Sequence, residues 1–245
     1  SLHSVRRMVR VSVHPIDGSI AQSFIERLLM FDVTICLHKE DTQRIQERYA
    51  TLLEAGIANL ESSDGAEMNF VFFAEENTIS INDSSSVVLH DVLPSGQNNG
   101  MVNAGLDSIW SQIETTNDNN GSHFWVAESD VVDALVRIAL NQPALPSRFD
   151  IAGRRRWSTQ QSHHELQMLY GRTQAGTTGK FTASLLDQPA SPEISVVPIH
   201  FEEQTPRPSL GPLHDVLIEC DGHGWQPTSP LRTAMMVYLA GKLND

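Results

Sequence analysis

The sequence contains little cysteine and no long apolar run. Cys36 and Cys220 are its only cysteines among 245 residues, which argues against a disulfide-stapled scaffold and favours a reducing compartment. No stretch reaches the roughly 18 consecutive apolar residues of a membrane-spanning helix. The arginines near the first residue are not followed by the apolar segment of a secretory signal. The sequence therefore predicts a cytoplasmic protein with no membrane partner.

Positive charge is also scarce, with 17 Lys and Arg against 30 Asp and Glu and a formal net charge of -13. Such a surface repels phosphate backbones, so we expect no nucleic-acid partner. Hydrophobic residues make up 40% of the chain and charged residues 19%. This composition argues against a wholly disordered chain. It suffices for one buried core, or for a main domain with a small appendage.

The chain begins with the pattern of a strand, a helix and a second strand. Residues 9–13 are a strand-like apolar run, and Ile20, Phe24 and Leu28 then recur at helical spacing. Residues 33–37 are a second apolar run, rich in β-branched side chains. Short connections between these elements predict a βαβ unit, which builds a parallel sheet.

Further elements are expected along the rest of the chain. Apolar residues in 41–62 recur at helical spacing and predict one long helix, whereas the polar residues 75–86 predict a loop. A helix capped by Ser129 is expected, and the Gly-, Thr-, Ser- and Pro-rich residues 171–195 predict looser structure. The remaining expected elements are strands at 69–74, 87–90, 123–126 and 149–152, loops at 94–100 and 115–122, and helices at 102–113 and 231–243.

Several segments resemble, in the same order, those of one enzyme family. Residues 125–135, WVAESDVVDAL, are similar to its F-V-H-V-D-D-V-A-D-A-L, and residues 149–153, FDIAG, to its Y-N-I-G-G. Residues 224–231, GWQPTSPL, are similar to its closing G-W-x-P-x-x-x-L. On these segments the chain resembles the extended short-chain dehydrogenases/reductases, which include nucleotide-sugar epimerases and dehydratases. The alternative is another α/β domain, since SDVVDAL is also simply a capped amphipathic helix.

The resemblance implies an α/β fold of reduced Rossmann-like, doubly wound type, with a mostly parallel sheet and a small C-terminal substrate-type subdomain. It places a Rossmann-like core in residues 1–153 and a smaller region, partly returning to the core, in 154–245. It also implies a homodimer, or a hetero-oligomer with a related protein. Residues 41–62 are a candidate pairing surface.

The resemblance places a dinucleotide-binding loop after the first strand, where the fingerprint glycines become Pro15, Gly18 and Ala21. Proline fixes φ and removes an N–H at the first position, so Gly18 alone remains of the phosphate cradle. The second strand is followed by Lys39 instead of the acidic residue that holds a ribose. We therefore expect no cofactor, with NAD(P) as the alternative. The candidate cofactor contacts are Gly18, Ser19, Ile20 and Lys39.

The same resemblance predicts a catalytic Tyr with a Lys four residues later on one helix, preceded by a Ser, because the Lys lowers the pKa of the tyrosine. The serine position reads Glu75-Glu76, and residues 74–86 leave no room for the Tyr–Lys helix. A strand–helix unit is also missing upstream. Tyr238 and Lys242 match the spacing, but they lie in the last helix and we interpret the match as coincidence. We therefore expect no catalytic residue.

Other titratable clusters do not predict a metal site. The adjacent His163 and His164 point to different sides of a helix or strand. Cys220 and His223 lack the second half of a zinc motif. We therefore expect no metal, and interpret the histidines as surface residues.

The one basic cluster in the sequence is Arg154-Arg155-Arg156-Trp157. Arginine can hold a diphosphate in bidentate fashion. In the resembled family the matching region lies near the substrate domain, so the resemblance makes Arg154, Arg156 and Trp157 candidates for a substrate-type pocket that takes a nucleotide or a nucleotide sugar. The alternative is a solvated turn.

Three functions remain open from the sequence. The first, which we expect, is a catalytically inactive short-chain dehydrogenase/epimerase-like protein acting as a binding, assembly or regulatory module. The second is an NAD(P)-dependent nucleotide-sugar epimerase, dehydratase or reductase with an atypical site. The third is a regulator that senses a dinucleotide without turning it over.

Overall fold

A computed structural model of the chain describes residues 8–62, 65–93, 104–115, 121–180 and 206–244. These residues form an α/β fold. The strands are β1 (Val9–His14), β2 (Val33–Cys36), β3 (Asn59–Glu61), β4 (Met68–Glu75), β5 (Thr78–Ile81), β6 (Ser85–Leu89), β7 (Val92–Leu93), β8 (Ser122–His123), β9 (Val126–Ala127), β10 (Arg148–Ile151) and β11 (Trp157–Ser158). The helices are α1 (Ser19–Leu28), α2 (Lys39–Arg48), α3 (Ala50–Glu54), α4 (Ala104–Trp110), α5 (Glu128–Asn141), α6 (Thr159–Thr178), α7 (Gly211–Asp221) and α8 (Leu231–Asn244).

The central sheet has seven strands in the order β10-β6-β5-β4-β1-β2-β3. Strand β1 pairs in parallel with β2 and β4, and β6 pairs in parallel with β10. Strand β5 is antiparallel to both of its neighbours. Without β5 the order would be that of successive strands in a Rossmann sheet. The predicted fold class is confirmed, because the fold is α/β with a mostly parallel mixed sheet flanked by helices, of Rossmann-like type.

The expected β1–α1–β2 unit is present. Its helix packs on the sheet through Ile20, Phe24 and Leu28, all buried. Strand β2 is buried at every position, as expected for a parallel strand inside a sheet. The N-cap of α1 is Gly18, which has extended backbone angles.

A β-meander replaces the loop expected at residues 75–86. The strand expected at 69–74 is confirmed as β4, and the chain then turns back as β5, on which buried and half-buried residues alternate. Asn82 and Asp83 have φ of 54° and 55°, as the two central residues of a type I′ hairpin turn require. The loop prediction was wrong because half of β5 is polar and faces away from the core. The next expected strand is confirmed as β6.

The long helix expected at residues 41–62 is wrong in its second half. Helix α2 and the short α3 are followed by the edge strand β3, which pairs in parallel with β2. Gly56 has a φ of 73°, a left-handed conformation that ends a helix. The apolar residues after it therefore belong to a strand, and the predicted continuous face does not form. The strand expected to be missing is thus present as β3.

Helix α5 has the predicted apolar face but a different start. The helix begins at Glu128, and Ser129 does not cap it; the Ser129 hydroxyl instead lies 2.9 Å from that of Ser229. The Asp130 carboxylate accepts hydrogen bonds from the backbone N–H groups of Thr228 and Ser229, at 2.9 and 3.1 Å. These contacts fix the segment before α8 to the first turn of α5. The buried face comprises Val131, Leu135, Ile138 and Ala139.

The C-terminal part is more regular than the composition of residues 171–195 indicated. Helix α6 extends to Thr178, so the prediction of loose structure is wrong for 171–178, and residues 181–205 lie outside the described ranges. A capping box starts this helix, because Ser158 Oγ accepts from the Gln161 N–H and Gln161 Oε1 accepts from the Ser158 N–H, both at 3.0 Å.

The remaining predictions have mixed outcomes. The expected helix before residue 113 is confirmed as α4, the strand at 149–152 as β10, and the closing helix as α8, while residues 123–126 contribute to two short strands, β8 and β9. The loop expected at 94–100 lies outside the described residues, as does most of 115–122. Among the described helices, none has both the length and the apolar character needed to cross a bilayer.

Within the described ranges, the buried apolar residues form two clusters. The larger unites the sheet with α1, α5 and α7. The smaller unites α4, α6 and α8 with Leu93 and Trp125. Both clusters draw on residues from either side of position 153, where the sequence placed a domain boundary, and that boundary stays a prediction.

Candidate functional site

Open α/β sheets bind ligands beyond the carboxyl ends of their parallel strands, which we call the carboxyl edge. Two parts of this edge carry the residues singled out in the sequence. The first, the α1 side, comprises residues 14–19 with Lys39. The second, the arginine cluster, comprises Arg154, Arg155, Arg156 and Arg207.

The loop of the α1 side is packed by its own side chains. The ring of Phe73 lies over Gly18, 3.6 Å from the point where a Cβ would stand. Ile16 is buried within the loop, and Ile20 is buried in the core. The glycine therefore faces an aromatic ring of its own chain.

A carboxylate occupies the start of α1. The hydroxyls of Ser19 and Ser23 donate to Glu128 Oε1 at 2.7 and 3.0 Å, and Glu128 is only 1% exposed. The carboxylate therefore lies beside the first two turns of α1, a helix whose N-terminus would otherwise attract an anion. A cofactor pyrophosphate at this position would meet a like charge.

The outer part of the α1 side is exposed. Lys39 stands in the first turn of α2, and the rings of His14 and His38 meet edge to face at 4.5 Å. Arg44 donates to Asp17 at 2.9 Å. Lys39 and Gly18 thus follow adjacent strands, as predicted, and the acidic Asp17 directly precedes Gly18 in the chain.

The connection in which the sequence left no room for a Tyr–Lys helix is a β-meander. Strand β4 is bulged between Phe72 and Glu75, and the chain then turns directly into β5. Strand β5 lies in the sheet between β4 and β6. All the backbone from β4 to β6 is described, and it contains no helix.

The literal Tyr–Lys match is held in a structural contact. Tyr238 donates to Asp107 Oδ1 at 2.6 Å, and Lys242 Nζ lies 3.2 Å from the same oxygen. Burial, followed by the hydrogen bond to Asp107, raises the pKa of Tyr238 far above its usual value. A tyrosine that exchanges protons near neutral pH needs the opposite shift. These residues therefore join α4 to α8.

The arginine cluster begins at a close backbone contact. A Cβ at Gly153 would come within 2.0 Å of the Trp125 carbonyl oxygen, so only glycine fits there. The Gly153 N–H donates to the Phe124 carbonyl at 2.8 Å. This contact fixes the chain where it leaves β10 and enters the arginines.

Three of the four guanidinium groups of the cluster lie over aromatic rings. Arg155 stacks on Trp157, with its guanidinium carbon 4.1 Å from the ring centroid. Arg156 and Arg207 lie 5.5 and 5.9 Å from the centroid of the buried Phe124 ring. Such cation–π contacts hold a guanidinium in place while leaving its N–H groups for other partners.

Arg207 was missed by the sequence analysis. It donates to the Arg154 carbonyl at 3.0 Å, which brings it to the cluster from a distant part of the chain. Its flanking residues Pro206 and Pro208 carry no signal of this contact. The structure therefore adds a further cation beside Arg154, and the pocket of Arg154, Arg156 and Trp157 stays a prediction.

Most described arginines outside the cluster form ion pairs, with Arg172 of α6 as the exception. Seven arginines elsewhere pair with carboxylates, namely Arg10, Arg27, Arg44, Arg48, Arg137, Arg148 and Arg232. Arg154, Arg155 and Arg207 form no ion pair with a described acidic residue, whereas Arg156 has a further partner in the chain. The acid closest in sequence, Asp150, is bonded to His90 Nε2 at 3.0 Å.

A hydrogen-bonded chain next to the cluster is structural. His123 Nδ1 lies 3.0 Å from Asp91 Oδ1, and its Nε2 lies 3.1 Å from Thr159 Oγ1. The order resembles that of a hydrolytic triad, but Thr159 is 3% exposed. The imidazole also stacks on Trp125 at 4.5 Å and contacts α4 at Gly105. We interpret the chain as a tie between β7, β8 and α6.

The other titratable clusters are used in packing. His163 Nε2 lies 2.8 Å from the Gln112 carbonyl oxygen, and the buried Glu165 accepts from Arg232 at 2.8 Å. Burial raises the pKa of the Cys220 thiol to about 11. Contrary to expectation, His163 is buried and not a surface residue.

An open cleft of about 540 Å³ lies on the outer side of α1 and α5. Its charged lining is mostly acidic, with Glu26, Asp130 and Asp133 against Arg27. Asp130 is already bonded to Thr228 and Ser229. The cleft contains none of the residues predicted to contact a ligand and disfavours an anion.

Comparison with known proteins identifies no family. The chain matches no protein-family model and no curated protein sequence. The resemblance to short-chain dehydrogenases/reductases therefore stays a prediction, and function is argued from the residues of the carboxyl edge.

Proposed function

We propose that the protein is a Rossmann-like binding module that does not perform the hydride-transfer chemistry of the enzymes it resembles. It would take a nucleotide-type ligand at its carboxyl edge and act in assembly or regulation. The proposal includes a homodimer, or a hetero-oligomer with a related protein.

The observation that carries the proposal is the β4–β5–β6 meander. The resemblance placed the helix that would present the tyrosine and lysine to the cofactor directly after the strand at residues 69–74. Here an antiparallel strand fills that connection. A missing element cannot be replaced by substitutions at single positions. Tyr238 does not substitute for it, because its pKa is shifted upward and its hydroxyl is bonded to Asp107.

The α1 side supports the same proposal. Phe73 covers Gly18, and the carboxylate of Glu128 accepts the hydroxyls that begin α1. Both features oppose a dinucleotide pyrophosphate in its usual position. The arginine cluster is the part of the edge that favours an anion.

The test is a pair of titrations and a turnover assay on the full chain. NADH and NADPH are titrated by fluorescence, and each cofactor is then incubated with a uridine or thymidine diphosphate sugar while the nicotinamide absorbance and the products are followed. We expect no micromolar dinucleotide binding and no turnover.

Two results would overturn the proposal in different ways. Micromolar binding of NADH or NADPH without turnover would identify a dinucleotide-sensing regulator. Sugar-dependent turnover would identify an NAD(P)-dependent nucleotide-sugar enzyme with an atypical site. Light scattering on the same sample measures the oligomeric state, for which we expect a mass above that of one chain.

A further inference from the structure

We infer that Arg154, Arg155 and Arg207 form a site for a small ligand that carries a diphosphate or longer phosphate chain. The inference deepens the proposed function, since it assigns a ligand chemistry and a location to the binding module. It depends on the positions and partners of these side chains and not on the resemblance to any family.

The first argument is charge. The chain carries a formal charge of -13, and most described arginines lie against a carboxylate, at 2.6 Å for Arg137 and Asp221 and at 2.8 Å for Arg232 and Glu165. The cluster lacks such pairs for Arg154, Arg155 and Arg207 in the described part of the chain. Like charges brought together repel one another, and an anionic ligand removes that repulsion.

The second argument is preorganisation. Arg155 is stacked 4.1 Å from the Trp157 ring centroid, and Arg207 is held by Phe124 and by the Arg154 carbonyl. These contacts use the faces of the guanidinium groups and one N–H group of Arg207. Less conformational entropy is then lost when the remaining N–H groups bind a ligand. Arg154, Arg155 and Arg207 are all exposed, so a ligand in solution can reach them.

The third argument is location and size. Arg154 follows β10 directly beyond the carboxyl edge, where α/β proteins bind ligands. The planar guanidinium groups match phosphate oxygens in bidentate fashion, and a diphosphate has enough oxygens to engage more than one of them. Nucleic acid requires neutralisation of several successive phosphates, and the chain's formal net charge of -13 opposes its binding.

The test is calorimetric titration of the full chain with inorganic pyrophosphate and, separately, with uridine diphosphate. We expect both to bind, and pyrophosphate to compete with uridine diphosphate. Arg207→Ala and Arg155→Ala should each weaken binding about tenfold, since a hydrogen-bonded charge contributes at least that much. Equal affinities would mean that the diphosphate alone is recognised, and a tighter uridine diphosphate would mean that the nucleoside adds contacts; either supports the inference.

The matched control is Arg148→Ala. It removes an exposed arginine from the opposite end of the same strand, and Arg148 lies 3.9 Å from Asp150. We expect this variant to bind both ligands within about twofold of the unmodified chain, because the lost charge is remote and screened. Thermal melts of the variants establish that each is folded.

Three results would overturn the inference. They are no binding of either ligand, an equal loss of affinity in Arg148→Ala and Arg207→Ala, and tighter, arginine-dependent binding of single-stranded RNA. None of these outcomes restores a Tyr–Lys helix, so the proposed absence of hydride transfer would stand. Conversely, cofactor turnover would overturn the proposed function and leave the arginine site to be judged on its own titrations.

Discussion

The α1 side and the arginine cluster lie at the carboxyl edge of one sheet, but their charged surroundings differ. A carboxylate lies next to the first, whereas exposed guanidinium groups form the second. On the α1 side the buried Glu128 accepts hydroxyls at the start of α1. At the arginine cluster, Arg154, Arg155 and Arg207 have no described carboxylate partner. A parallel sheet offers several ligand positions along one edge, and the local side chains decide which of them accepts an anion.

The largest expected effect comes from Gly153→Ala, which breaks the base of the arginine cluster. The new Cβ would collide with the Trp125 carbonyl at 2.0 Å, and backbone cannot give way as a flexible side chain can. We expect a loss of about 3 kcal/mol or more in the free energy of unfolding, measured by urea denaturation. Gly171→Ala in α6 is the control, because a Cβ there meets nothing within 4 Å; it should be neutral or stabilising by up to about 1 kcal/mol. Equal stability of the two variants would contradict the geometry at Gly153.

Glu128→Ala removes the carboxylate that lies next to the α1 side. Two hydroxyls would lose a charged, buried acceptor, so we expect unfolding to become easier by about 2 kcal/mol. The control is Asp133→Ala on the same helix, because Asp133 is half exposed and lies 3.8 Å from Arg27. It should cost less than about 0.5 kcal/mol. A Glu128→Ala variant as stable as the control would show that the α1 side does not depend on its own carboxylate.

A smaller effect is expected from Tyr238→Phe. This variant tests whether the hydroxyl of Tyr238, which has Lys242 four residues later, has a structural role. Loss of the hydrogen bond to Asp107 should cost about 1 kcal/mol. Because the folded protein raises the pKa of Tyr238 above the unfolded value near 10, its contribution is complete below about pH 10 and falls as the pH rises further, when the unfolded chain loses the proton first.

The variant should therefore lose less stability between pH 9 and 11 than the unmodified chain does, as measured by urea denaturation at each pH. Tyr170→Phe, whose hydroxyl contacts the exposed Gln174, serves as the control. An alkaline profile unchanged by Tyr238→Phe would mean that the hydroxyl is not held as described.

Much of the fold could be predicted from local patterns. The β1–α1–β2 unit, the apolar face of α5 and the closing helix all have side chains whose spacing matches one type of element. The prediction of one long helix at residues 41–62 was wrong because apolar spacing alone does not reveal that Gly56 adopts a left-handed conformation. Strand β5 was not predicted because its polar residues obscured the alternation of buried and half-buried positions. Asn82-Asp83 was nevertheless an available signal for a hairpin turn.

The site could be predicted only in part. The number of residues between β4 and β6 was enough to predict that no helix lies in that connection, whereas the absence of a catalytic pair stays a prediction. The position of Arg154 and Arg156 beyond β10 followed from the resemblance. The addition of Arg207 and the burial of Glu128 against Ser19 depend on contacts between residues far apart in the chain, which no local pattern encodes.

The most direct test of the account compares one cation from each side of the edge. Lys39→Ala and Arg155→Ala remove the same charge from exposed residues, and uridine diphosphate affinity is measured for each by calorimetry. We predict that Arg155→Ala weakens binding about tenfold and that Lys39→Ala leaves it unchanged. Loss of binding in Lys39→Ala with full affinity in Arg155→Ala would contradict the account, because it would place the ligand on the α1 side.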